Sequence, residues 1–575
     1  MPAELDRPHW PFRLVPIVVC AAGLLFVAGG TLFHASARGP GSNPDQPDAA
    51  ALNPELRVLE RDLTSSEYRE VLETMIPTDL AAEWWRVATP DNYLLFLRAH
   101  GGKEAVLADE KLKAAFERRQ QIAQQFLDLM RAAYAKRGVK TAPFDRGSRL
   151  EDLLLRAEER SVQQLASSSP TVRVVMPAAG AEQQWPRFRG PTGQGVAIEP
   201  HFPMHWSETD NLAWKTDLTG RGHSSPVVWD DRIFLTSASE EGYERLLLCY
   251  SRTDGKLLWQ RIAPKPTQLE GLYWKNSFAS STPVTDGERV IAFFGNSGLV
   301  CFDFEGDLQW QQELGPFTTM HGPGTSPLLY RDKVIFIQYQ NRGPTQFVAF
   351  DKRTGKPRWQ HDREDGTCWS TPVVLRVGDH DELVYNSSHQ VIGYDPQNGE
   401  ELWRVSGSSR EAIPMILVGG GLIYSTSGRN GPTLAIRPGG EGDVSQTHLV
   451  WKTRRGGPHV PSPAYFDGRL YLVGDMGVIT CLNAETGDLL WQKRLRGRFS
   501  MSPIEADGKL ILTNESGTTF ILDASQRDYT LLATNELDDT ILATPAVLGG
   551  RIYVRTVSRL ICLEEKNSKT TGAGG

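Results

Sequence analysis

The chain has 575 residues, a formal net charge of -7 and a sequence pI near 6.0. This acidic balance excludes the broad basic face with which nucleic-acid binders contact phosphates, so no nucleic-acid partner is expected. The 54 glycines and 36 prolines are typical of a turn-rich β protein, and the length leaves room for more than one domain.

The first feature along the chain is an uncharged apolar run at residues 14–33, LVPIVVCAAGLLFVAGGTLF, which two arginines precede. The run is long enough to span a bilayer, and the arginines favour a cytoplasmic N-terminus. We therefore predict a single-pass anchor in the inner (cytoplasmic) membrane within residues 1–36, with the rest of the chain on the periplasmic side. Cleavage near Ala37, with secretion to the periplasm, is the alternative.

A helical region follows. Residues 37–52 are polar and rich in proline and glycine, which predicts a linker, and residues 53–166 are predicted to form a helical domain. Apolar residues at three- and four-residue steps form one stripe there: Leu107, Leu112, Phe116, Ala123, Phe126, Leu127, Met130 and Tyr134. We interpret the stripe as the core of a small bundle, with a docking helix for a partner as the alternative.

A second predicted linker, residues 167–184, leads to the sequence WPRFRGPTGQG at residues 185–195. This stretch resembles the lead-in that begins many exported bacterial quinoprotein-like repeat propellers. Trp185 and Phe188 are expected to anchor it against the domain that follows. Its two arginines also admit a second interpretation, which is anion binding.

A repeat governs most of the remaining chain. Its copies open with prolines 40 to 57 residues apart, at Pro226, Pro283, Pro327, Pro372, Pro414, Pro463, Pro503 and Pro545. Each copy contains four short β-type runs separated by turn residues, as in residues 462–495, which predicts a four-stranded antiparallel meander. A period of this length is typical of the blades of a β-propeller.

The number of blades follows from the ends of the repeat. The eighth copy stops at Glu564 without its last strand, whereas residues 211–218, which contain Trp214, form an unassigned strand before the first copy. We therefore predict a mainly β chain with an eight-bladed propeller at residues 185–564, closed by this N-terminal strand, which leaves no open sheet edge. Residues 565–575 are predicted to be a disordered tail.

The third strand and its turn carry the most specific motif, as in Cys481-Leu-Asn483-Ala-Glu-Thr486-Gly487-Asp-Leu-Leu-Trp491. This motif resembles the tryptophan-docking motif of bacterial PQQ-like (quinoprotein-type, BamB-like) repeat propellers. The resemblance implies that each indole packs over a small residue and locks neighbouring blades. The implied docking tryptophans are Trp214, Trp259, Trp310, Trp359, Trp403, Trp451 and Trp491.

The positions of the cysteines argue against disulfide bonds and against several cofactor sites. Four of the six, Cys249, Cys301, Cys481 and Cys562, occupy the same small-residue slot in different blades, so they are predicted to be buried core residues rather than disulfide partners. The sequence has no Cys-x-x-Cys-His for covalent haem and no vicinal cysteine pair of the kind that marks quinoprotein alcohol dehydrogenases. Cys20 lacks a convincing lipobox, which departs from the BamB pattern.

Two functions are compatible with the resemblance. The first is a membrane-tethered, non-catalytic extracytoplasmic propeller, without a cofactor, that binds protein or envelope components. The second is a dehydrogenase that oxidises an alcohol or sugar with pyrroloquinoline quinone (PQQ) and Ca²⁺ in the central funnel. Ca²⁺ requires several oxygen ligands, and Glu270 and Asn276 in the long second inter-blade loop are candidates. We favour the binding function and predict no catalytic residues and no resident metal.

A ligand pocket in the funnel is also predicted. The loops that lead into five blades carry His223, His321, Trp369, His459 and Arg498 at similar places. If these side chains converge on the axis, they could bind an anionic or metal-bearing ligand. The structural alternative is that each satisfies a backbone carbonyl in its own turn.

Overall fold

The computed structural model describes residues 112–114, 116–118, 121, 172–198, 201–341, 345–363, 368–428, 431–454 and 456–566. The chain divides into two compact units, residues 1–167 and residues 168–575. In the first unit the described residues are α-helical, and Phe116, which lies on the predicted apolar stripe, is buried. The predicted anchor at residues 14–33 lies outside the described residues, and no helix in the described part combines the length and apolar character needed to cross a bilayer.

The second unit contains eight antiparallel blades, which confirms the predicted eight-bladed propeller. The strands of blades 1 to 4 are Val227–Trp229, Arg232–Ala238, Arg245–Ser251 and Leu257–Ile262; Val284–Thr285, Arg289–Phe293, Leu299–Asp303 and Leu308–Gln312; Leu328–Tyr330, Lys333–Gln338, Thr345–Asp351 and Pro357–Arg363; Val373–Val377, His380–Asn386, Gln390–Tyr394 and Glu401–Ser406. Those of blades 5 to 8 are Leu417–Gly419, Leu422–Thr426, Thr433–Ile436 and Leu449–Thr453; Ala464–Phe466, Arg469–Val473, Val478–Asn483 and Leu489–Arg494; Ile504–Ala506, Lys509–Thr513, Thr518–Asp523 and Leu531–Glu536; Ala546–Leu548, Arg551–Arg555 and Arg559–Glu564.

The fourth strand of blade 8 comes from the start of the propeller. Leu212–Asp217 pairs antiparallel with Arg559–Glu564, as predicted. Trp214 then packs over Gly255 of blade 1, and its Nε1 donates to the carbonyl of Arg252 at 3.2 Å. The ring is therefore closed by a pairing between its two sequence ends.

Blade 4 differs from the other seven because it has six strands. Val172–Val174, within the predicted linker, pairs antiparallel with the first strand of the blade, Val373–Val377. Gly442–Asp443, from an insertion in the fifth copy, pairs in parallel with the fourth strand, Glu401–Ser406. The insertion also forms the short α-helix Ser445–His448, and the remaining helical turns of the second unit are 3₁₀ turns at Ala181–Gln183 and Gly295–Ser297 in its described part.

Tryptophan docking forms the outer seams between blades, as the resemblance implied. In the seam between blades 2 and 3, Trp310 packs over Gly355 and its Nε1 donates to the carbonyl of Lys352 at 3.0 Å. Gly355 has φ +69°, and a Cβ there would lie 2.7 Å from the indole, so only glycine fits. The same arrangement of indole, glycine and carbonyl occurs at Trp214, Trp259 and Trp451, and Trp359 packs over Gly399.

Two of the implied docking tryptophans behave differently. Trp403 packs over Gly393 of its own blade, and its Nε1 donates to Oε2 of the buried Glu382 at 2.8 Å. Trp491 contacts Tyr529, a residue larger than the expected glycine, with ring centroids 5.6 Å apart. In both cases the next blade lacks the Thr-Gly turn on which an indole would dock. An insertion replaces this turn in blade 5, which follows Trp403, and a different sequence replaces it in blade 7, which follows Trp491.

The four cysteines of the common slot are fully buried and unpaired, in agreement with the prediction. Each lies directly across the strand pair from a tryptophan of its own blade, as Cys249 does from Trp259 and Cys562 from Trp214. Burial raises the pKa of each of these four thiols to about 12. The small side chain makes room for the indole, and the thiol stays protonated and unreactive.

Candidate functional site at the propeller mouth

The first strands of neighbouring blades contact each other around the axis, and a belt of hydroxyl groups joins the ends at which they begin. In this belt a backbone N–H of one blade donates, at 3.0 Å, to the Ser or Thr hydroxyl that precedes the opening proline of the next blade. The bonds run from Ser225 to Thr282, Thr282 to Ser326, Ser326 to Thr371, Met415 to Ser462, Ser462 to Ser502 and Ser502 to Thr544. We call this end of the axis the mouth.

The lead-in occupies the axial channel beneath the mouth, and we call residues 185–197 the axial plug. Trp185 exchanges two backbone hydrogen bonds with Val228 of blade 1, and the carbonyl of Gly195 accepts from the N–H of Glu505 in blade 7. Gln194 bridges to blade 5, where its Oε1 accepts from the N–H of Val418 at 2.7 Å. One short segment thus ties together the first strands of distant blades.

The arginines of the plug donate to backbone carbonyls, although the buried Nε and Nη1 of Arg189 have no hydrogen-bond partner among the described residues. Arg187 donates twice to the carbonyl of Pro191, within the plug. Arg189 donates to the carbonyls of Gln194 and Pro463, and thereby connects the plug to blade 6. Burial lowers the pKa of Arg187 to about 10 and that of Arg189 to about 9. Trp185 is buried as predicted, whereas Phe188 is only half-buried.

The two proposed Ca²⁺ ligands both have protein partners. Glu270 is fully buried, and its two oxygens accept from Nη1 and Nη2 of Arg245, each at 2.8 Å. Asn276 donates to the carbonyls of His321 and Pro323, and its Oδ1 accepts from the N–H of Ser277 at 2.8 Å. These contacts attach the long loop, residues 264–281, and a Ca²⁺ ion at the same oxygens would have to compete with them.

Of the five predicted funnel residues, two are in direct ring contact, and each of the others has its own neighbours. His321 and Trp369 are in contact, with ring centroids 5.4 Å apart. His459 binds Oε2 of Glu411 at 3.0 Å, and exposed Arg498 accepts a backbone hydrogen bond from Glu515. His223 lies near Arg555 at the junction of blades 8 and 1. Within the described ranges, no group of three His, Cys, Asp or Glu residues could hold a metal ion.

An aromatic surface at the mouth was not anticipated from the sequence. Tyr273 and Trp274 of the long loop contact each other, and Tyr273 also stacks near His321, with centroids 5.6 Å apart for both pairs. Trp274 is 73% exposed and Met320 of the adjacent loop is 63% exposed. We call Tyr273, Trp274, Met320, His321 and Trp369 the mouth patch.

A signal for the mouth patch was present in the spacing of the repeat. The step from Pro226 to Pro283 is the longest of the series, which marks the loop between blades 1 and 2 as enlarged. The extra length carries the sequence Gly-Leu-Tyr-Trp-Lys at residues 271–275. Lys275 reaches blade 7, where it pairs with Glu515, so the loop extends across the mouth.

Comparison with known proteins gives a family and a set of similar folds. A family profile described as outer membrane protein assembly factor BamB matches residues 204–405 and 434–530. BamB from Moraxella catarrhalis is 16% identical and covers 61% of this chain and 98% of its own, with a TM-score of 0.44. No curated protein sequence gives a significant match.

Two solved enzymes share the fold to a similar extent. The quinohemoprotein alcohol dehydrogenase ADHIIG from Pseudomonas putida HK5 is 11% identical and covers 70% of this chain and 83% of its own, with a TM-score of 0.50. The quinohemoprotein alcohol dehydrogenase from Comamonas testosteroni is 11% identical and covers 68% and 82%, also with a TM-score of 0.50. Similarity at these identities concerns the fold alone.

Proposed function

The chain belongs to the family of the outer membrane protein assembly factor BamB, and we propose that it is a non-catalytic propeller that binds a protein of the cell envelope. The mouth patch is the surface that we assign to this role. In this proposal residues 14–33 anchor the chain in the inner membrane, and the propeller lies on the periplasmic side.

The observation that carries the proposal is the exposure of the mouth patch on a rigid support. Monomeric proteins rarely leave a tryptophan such as Trp274 so exposed beside other apolar groups, and aromatic side chains and methionine are enriched in protein interfaces. The long loop that carries Tyr273 and Trp274 is fixed to blade 1 by the buried ion pair of Arg245 and Glu270. A rigid surface loses little conformational freedom on binding, which favours affinity.

The alternative is a dehydrogenase that uses PQQ and Ca²⁺, and the two similar enzymes are named as quinohemoprotein alcohol dehydrogenases. The contacts of Glu270 and Asn276 weigh against it, because a cation at their oxygens would compete with the hydrogen bonds that attach the loop. The plug also lies along the first strands of blades 1, 5 and 7, to which it is hydrogen-bonded. Both observations support the binding function.

Site-specific photocrosslinking in intact cells tests the proposal. A benzoylphenylalanine in place of Trp274 should give a discrete, light-dependent adduct with one envelope protein. The matched control places the same residue at Leu531, which is 44% exposed on the outer strand of blade 7. The adduct should also disappear when Met320→Glu introduces a charge into the patch. Equal adducts from both positions, or none from position 274, would contradict the proposal.

A further inference from the structure

An arginine with incomplete hydrogen bonding lies at the junction of blades 8 and 1, at the mouth. Arg555 ends the strand Arg551–Arg555 and is 1% exposed. Its Nη1 donates to the carbonyl and hydroxyl of Ser224 and to the carbonyl of Thr236. Its Nε and Nη2 are buried and have no partner in the described part of the chain. Only part of this guanidinium is therefore satisfied by the protein.

Other nitrogen donors converge on the same place. The buried Nε2 of His223 also has no hydrogen-bond partner among the described residues. Burial lowers the pKa of His223 to about 3, and the positive charges of Arg555, Arg221 and Lys275 add to this effect. Arg555 reaches the same segment directly, because its Nη1 donates to the carbonyl and hydroxyl of Ser224, the residue that follows His223.

The positive charge at this junction is poorly balanced by the protein. Lys275 pairs with Glu515, whereas no ion pair within the described ranges involves Arg555 or Arg221. Arg245 provides the contrast, because it is equally buried but forms two hydrogen bonds to the carboxylate of Glu270. Leaving a buried guanidinium without an anion is costly, which suggests that an anion completes the site in the functional state.

We propose that His223, Arg555 and Lys275 form a binding site for an oxyanion, with Arg221 at its exposed edge. The ligand is either a small free oxyanion, such as phosphate, or a carboxylate of a bound polypeptide. The outer part of the site borders solvent, because His223 is half-buried and the Lys275 side chain is 26% exposed. Guanidinium and ammonium groups are the donors that bind such oxyanions most strongly.

Thermal unfolding of the full-length protein tests the site in sodium phosphate against sodium chloride of equal ionic strength. Saturating phosphate should raise Tm by about 2 °C or more, because a ligand of the folded state alone stabilises it. His223→Asn and Arg555→Gln should abolish the shift. Arg551→Gln is the matched control, since Arg551 lies on the same strand but pairs with Glu564 at 2.9 Å. If Arg555→Gln does not fold, the half-buried His223 variant still decides the test.

A second readout locates the ligand. In protein labelled with ¹⁵N-histidine, phosphate should move the His223 resonances and leave those of the exposed His380 unchanged. A glutamate-rich hexapeptide forms the other arm, and the arm that binds more tightly identifies the source of the oxyanion. If neither phosphate nor the peptide changes Tm or the His223 resonances, the site does not exist. Neither measurement uses an envelope partner, so the result is independent of the crosslinking experiment.

Discussion

The rim of the propeller and its axis are built in different ways. At the rim one device recurs, in which an indole packs over a glycine of the next blade and donates to a nearby carbonyl, as Trp310 does at Gly355. At the axis and mouth, the plug and the long loop at residues 264–281 each occur once and contact several blades. The comparison teaches that the repeat determines the architecture of the propeller, whereas segments that occur once determine the surface exposed at the mouth.

The largest loss of stability is expected from opening the ring of blades at its rim. Deletion of residues 211–218 removes the fourth strand of blade 8 and the seam that Trp214 forms with blade 1. The loss should exceed the about 3–5 kcal/mol that a single buried tryptophan contributes, and calorimetry should show a strongly lowered Tm. Trp214→Ala alone should have a smaller effect. A deletion variant that melts like the wild type would contradict ring closure.

The next largest loss of stability is expected from breaking the buried ion pair that holds the long loop at the mouth. Glu270→Ala leaves the buried Arg245 without its carboxylate, which should lower the free energy of unfolding by about 3–5 kcal/mol in urea titrations. The same substitution at Asp254, which pairs with Lys256 on the surface, should leave Tm unchanged. If both variants behave alike, the pair does not hold the loop.

The two kinds of tryptophan contact can be compared by replacing the indole with a phenyl ring, which removes the N–H and the same ring volume at both positions. Trp403→Phe leaves the buried carboxylate of Glu382 short of a donor and should cost about 2–3 kcal/mol. Trp310→Phe removes a bond to a neutral carbonyl and should cost about 1 kcal/mol. Urea unfolding of both variants gives the difference, and a larger cost at Trp310 would show that the rim seams are stronger than this comparison implies.

The smallest effect on stability is expected from Asp351, in the turn after the third strand of blade 3. Burial raises the pKa of Asp351, but hydrogen bonds from Thr354, Arg358 and Arg353 outweigh it and hold the pKa at about 2. Because the folded-state pKa is lowered, the contribution of Asp351 is complete above about pH 4 and is lost as the pH falls through 2.

Blade 6 supplies the matched substitution, since Asn483 accepts the same backbone N–H groups there. Asp351→Asn should therefore fold normally and lose about 0.5–1 kcal/mol at pH 7. The difference from the wild type should shrink below about pH 4 and vanish only below pH 2. A difference that stays constant from pH 7 to pH 2 would show that the charge of Asp351 does not contribute.

The sequence predicted what the repeat encodes. The proline period and the tryptophan spacing gave the blade number, the closing strand and the buried cysteine slot. The resemblance implied that Trp403 locks onto the next blade, but its Nε1 donates to Glu382 of its own blade, where the insertion that provides Gly442–Asp443 replaces the turn of the next copy. The spacing of the repeat cannot reveal that one indole has a different hydrogen-bond acceptor.

The mouth was harder to predict because its contacts join residues remote in sequence. The histidines and Trp369 were recognised as residues that a simple connection does not need, but their grouping depends on where each loop turns. Arg555 resembles any other polar residue at the end of a strand, and only the positions of Ser224 and His223 reveal its unpaired donors. Side-chain neighbours of this kind follow from the tertiary structure.

We propose that the propeller binds a partner through its mouth and retains no quinone cofactor. Equilibrium dialysis of the purified full-length protein against PQQ and Ca²⁺ tests it most directly, with the retained quinone measured by its absorption. We expect no saturable retention and no dye-linked oxidation of alcohols or sugars. Stoichiometric retention of PQQ that is lost in the Asn276→Ala variant would contradict the claim.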